Sequence, residues 1–516
     1  MFKKYDESRI FFVIIDGVSG VEIMLHVSDI KKFERCPKLF HLSRTNRLSN
    51  TFFSFFHPFE NMNGLIVEKL GIISPFYGER NDDSQRAQKA SEEYTWLINP
   101  RFEYNSLRIR VPYMHKTEMG WELYFVVLQS APTSDRAREF AFNVKVLREL
   151  GFKVANVFIV HLNKEYIRGE ILNVDGLFTV VDRFYNSKGN LSTLIMDAIS
   201  TIAIELDSTI NDIATSEFIE DGDIKKTKCT RGTKCDYFDY CFPEYLYADD
   251  KSILHLVSSQ NKYEMFNDGF SSLSDVDLTQ VEGTRLQYAQ IMAARSVEGF
   301  FMDELALTSW FNSVDNGIVS FLDFEWDIYC IPPYQGMSPL QVLPFQYSLH
   351  VSNETSITHY EYLGFEDCRE EFIRNLVNDL PSEGPIFAYN AAGAEMLRLK
   401  ELADCFPNYA KELLEITERM RDFSTPFEFG LIYDLRMRGL FSLKALSSMI
   451  HPDNDYHNLA VTNGLGAVKL HRKLEKETEK DQVLLKQLLD YCSKDTEELF
   501  AVYLWMKDKI IAASKK

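Results

Sequence analysis

The stretch GIVSFLDFEWDIY, residues 317–329, decides how this chain is read. It is a run of β-branched and aromatic residues without proline, the composition of a strand. Asp323 and Glu325 stand two apart within it, and a period of two sets both carboxylates on one face. Leu322, Phe324 and Trp326 then fall on the other face, which must be buried. Two acids on one side of an otherwise apolar central strand are costly unless something pairs with them. A pair of divalent cations would do so, and hard oxygen ligands suit magnesium or manganese. The same spacing also describes an edge strand with a solvated acidic face, so alone it decides nothing about chemistry.

Outward from that strand, PFQYSLHVSN (344–353) reads as its hairpin neighbour. A helix near Cys368–Leu380 leads to a further strand, GPIFAYN (384–390). Helices over Ala394–Ala403 and Tyr409–Met420 follow, then a long carboxyl-terminal helix. Strands first, then alternating helices and strands, predict a mixed sheet covered by helices. Two more elements carry acids. In FAYNAAGAEMLRL (387–399) a buried strand and a sharp turn bring Glu395 to the head of a helix, where the dipole favours a carboxylate. In LLDYCSKDTEELF (488–500) Tyr491 and Asp495 share a helical face at i, i+4. An aspartate there can bind metal and a tyrosine can position water; an amphipathic helix with Tyr491 in the core is the plainer account.

The chain has 516 residues, which predicts two or three domains. Its 76 acidic against 56 basic residues give a formal charge of −20. That balance counts against bulk electrostatic coating of nucleic acid, but not against a local groove beside a carboxylate site. The apolar run Phe11–Ile15 ends at Asp16, too short for a signal sequence or a membrane span, so a cytoplasmic protein is expected. Eight cysteines in a reducing compartment are then thiols or metal ligands. Cys229, Cys235 and Cys241 recur at intervals of six, and Cys36 in FERCPKLFHLSR is a distant fourth candidate. Soft thiolates suit zinc or an iron–sulfur cluster, and one early cysteine plus a late triplet does not form the two close pairs of a zinc knuckle. Cys330, Cys368, Cys405 and Cys492 read as ordinary residues.

The amino-terminal half reads as α/β. Residues 22–45 predict one helix with Ser28 as its N-cap; LRIRVPYM (107–114) and WELYFVVLQ (121–129) predict strands. Residues 134–151 predict a helix stopped by Gly151, VANVFIVHLN (154–163) a buried strand, and Leu191–Ala214 a long helix. Residues 250–316 read as a polar, helix-biased connector without strands. The expected domains are therefore 1–249, a connector at 250–316, and 317–516.

Taken in order, the strand Asp-x-Glu, the strand–turn–acid–helix and the helical Tyr-x-x-x-Asp resemble the three exonuclease motifs of the DEDD superfamily. Tyr491, standing where a histidine marks the other branch, implies the DEDDy type. The resemblance implies a ribonuclease H-like domain holding two Mg2+ or Mn2+ on Asp323, Glu325, Glu395 and Asp495, with Tyr491 orienting the attacking water. It also implies removal of nucleotides from the 3′ end of single-stranded or frayed nucleic acid by two-metal phosphodiester hydrolysis. Glu395 departs from the pattern, being one methylene longer than the usual aspartate and five rather than four residues after Asn390. Asp422, in ERMRDFSTPF, is the rival acid.

The longer string FLDFEW…PFQYSLH…FAYN…E…RDF…FSLKAL…NGLGA…YCSKDTEEL is similar to one half of a bacterial family that fuses a RecB-like iron–sulfur nuclease region to a ribonuclease H-like domain. The likeness covers nearly all of residues 317–510. In that family Ser442 and Lys444 fall in an S-x-K segment that could touch substrate phosphate, with a surface loop as the alternative. SDIKKFERCPK (28–38) resembles the opening helix of the RecB-like nucleases, including the CRISPR-adaptation exonucleases, whose cysteines hold a [4Fe–4S] cluster. This implies such a cluster, or zinc, on Cys36, Cys229, Cys235 and Cys241. The PD-(D/E)XK core of those enzymes aligns with Pro112, Val127 and Gln129, its helix glutamine with Asn143, and Glu68 lies near the missing histidine. With no acid pair or lysine, that first domain is expected to keep the nuclease fold without its chemistry. The alternative is a non-catalytic iron–sulfur protein that binds nucleic acid or serves as a scaffold in repair or defence.

Overall fold

The computed structural model describes residues 24–45, 55–218, 224, 226–230, 234–243, 249–259, 261–314, 317–353, 356–452, 461 and 463–515. The run Phe11–Ile15 lies outside them. No helix among the described residues is long and apolar enough to cross a membrane. The chain is mixed α/β and divides into two compact units, Met1–Ser49 with Ile66–His161 and Phe178–Glu220, and Asn50–Leu65 with Leu162–Leu177 and Asp221–Lys516.

In the first unit the strands are β1 (Leu25–His26), β2 (Phe76–Tyr77), β3 (Trp96–Ile98), β4 (Arg101–Tyr104), β5 (Leu107–Arg110), β6 (Tyr113–Thr117), β7 (Gly120–Val127), β8 (Val154–Leu162) and β9 (Phe178–Val181). They form a six-stranded sheet of order β2-β3-β6-β7-β8-β9 and a three-stranded sheet of order β1-β5-β4. In β7, Trp121, Leu123, Phe125 and Val127 alternate inward. The helix Ala137–Glu149 shares their core through Phe140, Ala141, Val144 and Leu147. It stops where Gly151 takes φ +87°, a conformation glycine adopts without strain.

Three expectations fail here for local reasons. LRIRVPYM is not one strand: Pro112, without an N–H to give a ladder, separates β5 from β6, which belong to different sheets. Residues 22–45 are not one helix. Leu25–His26 pair with Leu107–Arg108, the helix Val27–Arg35 is capped by His26 in a box with Asp29 rather than by Ser28, and Pro37 forces Cys36 into extended backbone before a second helix, Pro37–Thr45. Leu191–Ala214 begins as a strand, Leu191–Leu194, and continues as two helices, Ile195–Ser200 and Leu206–Ala214.

In the second unit, with β10 (Arg183–Tyr185) and β11 (Leu191–Leu194) completing the first, the strands run from β12 (Phe300–Met302) to β13 (Val319–Tyr329), β14 (Gln341–Ser352), β15 (Ile357–Leu363), β16 (Ile386–Ala388), β17 (Met420–Asp422) and β18 (Ile432–Asp434). The main sheet has the order β15-β14-β13-β16-β17. β13, β14 and β15 are antiparallel, whereas β16 and β17 run parallel to β13. Leu322 and Phe324 pack on one side against the helices Arg369–Asp379, Glu395–Cys405 and Ala410–Arg419. Val319 and Phe321 pack on the other against Glu304–Val314 and the long helix Gln482–Ala513. The strand is therefore central and buried on both faces. β15, not foreseen, is an exposed edge whose polar alternation carries little hydrophobic signal.

Residues 250–316 are not a strandless connector. β12 pairs with β18, and Leu286, Ala289 and Ala293 from the helix Arg285–Arg295 join Leu307 and Phe311 in the core that covers the sheet. Two outlying segments also belong to this unit. Arg168 clasps the loop after β13, donating its backbone N–H to Met337 O at 2.9 Å and its guanidinium to Pro332 O at 2.8 Å. His57 donates its N–H to Ile328 O, stacks on Tyr329 and pairs with Glu475 at 3.0 Å.

Candidate metal centre

Three local devices aim the side chains of the second unit. β13 alternates as expected, so Asp323 and Glu325 share the face turned to Gln482–Ala513 while Leu322 and Phe324 occupy the opposite core. The ladder slips after Glu325: Glu325 opposes Gln346 but Trp326 opposes Pro344, leaving Phe345 as an extra residue. Such a bulge bends the strand beside the acids, and Pro344 is tolerated there because the ladder is already interrupted. The long helix is then held in register by polar stitches. Gln346 donates to Leu488 O at 2.9 Å, and Thr496 Oγ1 meets Ser348 Oγ at 2.7 Å and His350 Nδ1 at 2.8 Å. Buried polar groups of this kind fix one arrangement because any slip leaves them unpaired.

With that register, Asp323, Glu325 and Asp495 each present an atom within 4.8 Å of the others. Among the described residues no other group of three or more His, Cys, Asp or Glu meets that criterion. Glu395, the first residue of its helix and 2% exposed, lines the same cavity of about 440 Å3, as does Tyr491. Its carboxylate accepts the backbone N–H of Phe324, while Oε2 has no hydrogen-bond partner. The turn before it places Asn390 at φ +59°. Asp422 secures that turn: its Oδ1 accepts the N–H of Asn390 (3.0 Å) and of Ser424 (2.9 Å) and the Ser424 hydroxyl (2.8 Å). Asp422 thus works as a turn cap, and Glu395 is the acid brought beside the others.

Burial is the largest influence on these groups; repulsion from neighbouring acids follows for Asp323 and Glu325, whereas at Glu395 backbone N–H groups offset part of it and Asp422 adds to it. Burial pushes Asp323 well above the usual carboxylate range, helped by Asp495, Glu325 and Glu395. It pushes Glu325 and Glu395 up to about 8. The Tyr491 phenol is raised by burial and then by Asp495, to which it hydrogen-bonds. Carboxylates crowded and desolvated in this way favour either protons or cations. A partnerless buried carboxylate oxygen and an all-oxygen acidic donor set fit hard divalent cations.

Several contacts here were not legible in the sequence. Lys444 is not on a detached surface loop: its ammonium donates to Tyr491 Oη at 2.7 Å, lies 4.6 Å from the ring centroid and draws Glu325 down. Ser442 caps the helix Leu443–Ile450 through Ala445 N–H. Cys492, read as ordinary, places Sγ 3.4 Å from Asp323 Oδ2, and its position next to Tyr491 was the available signal. Gly464 opens the helix Gly464–Glu475 so close to Glu325 that a Cβ would lie 3.5 Å from Oε2. Phe55 lines the cavity although 61% exposed, from a segment far upstream with no motif to mark it.

Cys229, Cys235 and Cys241 gather around one small apolar cluster with Phe238 and Phe242. The Cys235 N–H donates to Cys229 O at 2.8 Å. Their sulfurs do not meet the 4.8 Å criterion, whereas one zinc at about 2.3 Å from each thiolate would draw them within it. Cys36 belongs to the other unit, at the break between its first two helices. No disulfide forms among the eight cysteines. Of the residues that the resemblance aligns with a nuclease core, Pro112 lies between strands, Val127 is a buried strand end, and Asn143 donates to Glu139 O within its own helix.

No curated protein and no solved structure matches this chain. Residues 320–442 match a family described as Domain of unknown function (DUF2779), a span that takes in Asp323, Glu325, Glu395 and Asp422 and ends before Lys444, Tyr491 and Asp495.

Proposed function

We propose that the second unit is a ribonuclease H-like, DEDDy-type exonuclease that hydrolyses single-stranded or frayed nucleic acid from the 3′ end. The observation that carries this reading is the convergence of Asp323, Glu325 and Asp495 within 4.8 Å, with Glu395 and Tyr491 lining the same cavity. A sheet of three antiparallel strands followed by two parallel ones, with helices on both faces, supports the same reading. Asp323, Glu325, Glu395 and Asp495 would hold two Mg2+ or Mn2+. Bound there, such cations stabilise the attacking and leaving oxygens of an in-line phosphodiester displacement.

The chain's own groups supply the rest. Tyr491, donating to Asp495 and accepting from Lys444, holds its proton and orients a water rather than abstracting from it. Water oxygen bonds to phosphorus as the bond from phosphorus to the 3′ oxygen breaks; the proton the water gives up passes to solvent and solvent returns one to the 3′ oxygen, so the shortened strand leaves as an alcohol beside a nucleoside 5′-monophosphate. The Lys444 ammonium, held on Tyr491 behind the cavity wall, would add a positive charge beside the acids for the phosphate to meet. Trp326 and Phe55 give a departing base apolar surface.

The first unit, lacking an acid pair and lysine at its aligned positions, serves binding or architecture in this reading. Within the second unit Cys229, Cys235 and Cys241 would supply three thiolates to a [4Fe–4S] cluster; a colourless, zinc-loaded protein after anaerobic purification overturns that part. The decisive assay is degradation of 3′- and 5′-labelled oligonucleotides in manganese or magnesium. Loss of activity in Asp323→Ala and Asp495→Ala is expected. Full activity in both variants overturns the reading, and binding without turnover by the unmodified protein turns it towards the scaffold alternative.

A further inference from the structure

The three-stranded sheet of the first unit carries an arrangement its fold does not require. Its register sets His26 opposite Arg108, Arg108 opposite Glu103, and Arg110 opposite Arg101. Alternation turns these five side chains to one face, while Leu25, Phe102, Leu107 and Ile109 enter the core from the other. Two arginines directly opposite in an antiparallel pair repel each other. One of them, Arg101, is only 9% exposed. The charged face borders a cavity of about 450 Å3 that Arg80 and Asn81 also line, so four guanidinium groups face it and no carboxylate is among its lining residues.

The nearby acids neutralise this only in part. Glu103 Oε1 accepts from Arg101 at 2.5 Å and from Arg108 at 2.7 Å, one carboxylate shared by two arginines. Asp82, which feels Arg110, is bound to Arg86. The loop 79–80 is itself tied down by the cluster, since Arg110 donates to Glu79 O at 2.8 Å and Arg101 to Arg80 O at 3.4 Å. In a chain of net charge −20, a partly buried concentration of arginine is specific rather than a general surface property. Planar guanidinium forks bind phosphate oxygens in pairs.

We infer that this arginine-lined cavity of the first unit is a binding site for phosphate groups, separate from the acidic centre of the second unit. Its ligand is a small phosphate compound or the phosphodiester backbone of a single strand, and both supply the same chemistry. The test uses the full chain in chelator, so hydrolysis plays no part and failure of the exonuclease reading leaves it untouched. Inorganic pyrophosphate is titrated calorimetrically, and a fluorescein-labelled single-stranded 12-mer by anisotropy, each across a range of salt.

Arg80→Gln with Arg110→Gln, both at exposed positions, is expected to weaken binding by about tenfold or more, the effect of losing one or two charge-assisted contacts. It should also lower the salt slope for the 12-mer by about 1.4, that is about 0.7 for each of the two lost charges. Lys188→Gln, an exposed loop change of like charge, should alter neither. The melting temperature of the ligand-free double variant should change little, because relief of the repulsion between Arg101 and Arg110 offsets the lost Arg110 bond to Glu79 O, while the stabilisation by pyrophosphate should disappear. Tighter binding of the 12-mer than of pyrophosphate assigns the site to a strand, and the reverse order to a small phosphate compound. No binding of either probe, or equal binding by wild type and double variant, overturns the inference.

Discussion

Without cations, the second unit should become less stable as the solution is made more alkaline across neutrality. Glu325 and Glu395 have an ordinary value of 4.5 and are pushed up to about 8 by burial and by neighbouring acids. The folded chain therefore keeps protons that the unfolded chain has released. Stability from this source is fully present below about pH 4.5 and lost as pH rises through about 8. Each retained proton changes stability by about 1.4 kcal/mol per pH unit, so one costs about 3 kcal/mol between about pH 5.5 and 7.5. For a unit of this size that is a fall of roughly 3–8 °C in melting temperature. Buried histidines act the other way at the acid end of the range: burial holds His350 down to about 4, and it lowers His471 also. The informative quantity is therefore the difference between wild type and Glu325→Gln with Glu395→Gln, followed by calorimetry in chelator. The variant should melt higher above pH 7 and lack the extra slope. With millimolar manganese the wild-type slope should reverse, because cations bind only the deprotonated acids. Parallel melting curves for the two proteins in chelator would refute the reasoning.

Lys444→Ala and Tyr491→Phe should each lower kcat by about 10²-fold, with combined losses well short of additive because one hydrogen-bonded chain links them; additive losses in a double-mutant cycle would separate the two roles. Phe55→Ala should weaken binding of a single strand in calcium by about tenfold, while Phe55→Trp preserves it, since base stacking on an aromatic ring contributes about 1–3 kcal/mol. An unchanged Kd for Phe55→Ala removes that ring from the substrate path. Arg472→Met should destabilise the second unit by about 3–5 kcal/mol by stranding the buried Asp327 carboxylate, with Asp327→Asn restoring part of the loss in urea titrations.

The strand around Asp323, the helices at Arg369–Asp379 and Glu395–Cys405 and the carboxyl-terminal helix were all legible because their periodicity is strong and uninterrupted. The same periodicities aimed Asp323 with Glu325 and Tyr491 with Asp495 correctly. What escaped depended on distance or on context. Asp422 and Glu395 were indistinguishable as acids, and their hydrogen bonds separate them: one caps a turn, the other has a partnerless oxygen. Lys444 could be found in its motif but not placed beside Tyr491, a contact spanning 47 residues. Within residues 250–316 the helix Arg285–Arg295 is hard to recognise as a core element, because Ala289, Ala293 and Ala294 join Leu286 on its core face and alanine adds little to a hydrophobic pattern. Pro112 and Pro37 were visible, and giving each its full weight as a breaker would have divided β5 from β6 and the first helix from the second.

The clasp between His57 and Glu475 joins residues 418 apart. At a translation rate of about 5–20 residues per second, the segment carrying Phe55 emerges roughly 20 to 80 s before Glu475 has been made. The surface it rests on appears first with Ile328 and Tyr329, and the clasp closes only with Glu475, whereas the first unit is complete by residue 220 and free to fold. The cavity that Phe55 lines is consequently among the last parts of the molecule to be assembled, and a ribosome stalled short of Glu475 leaves a chain whose first unit can be native while its acidic centre is still open.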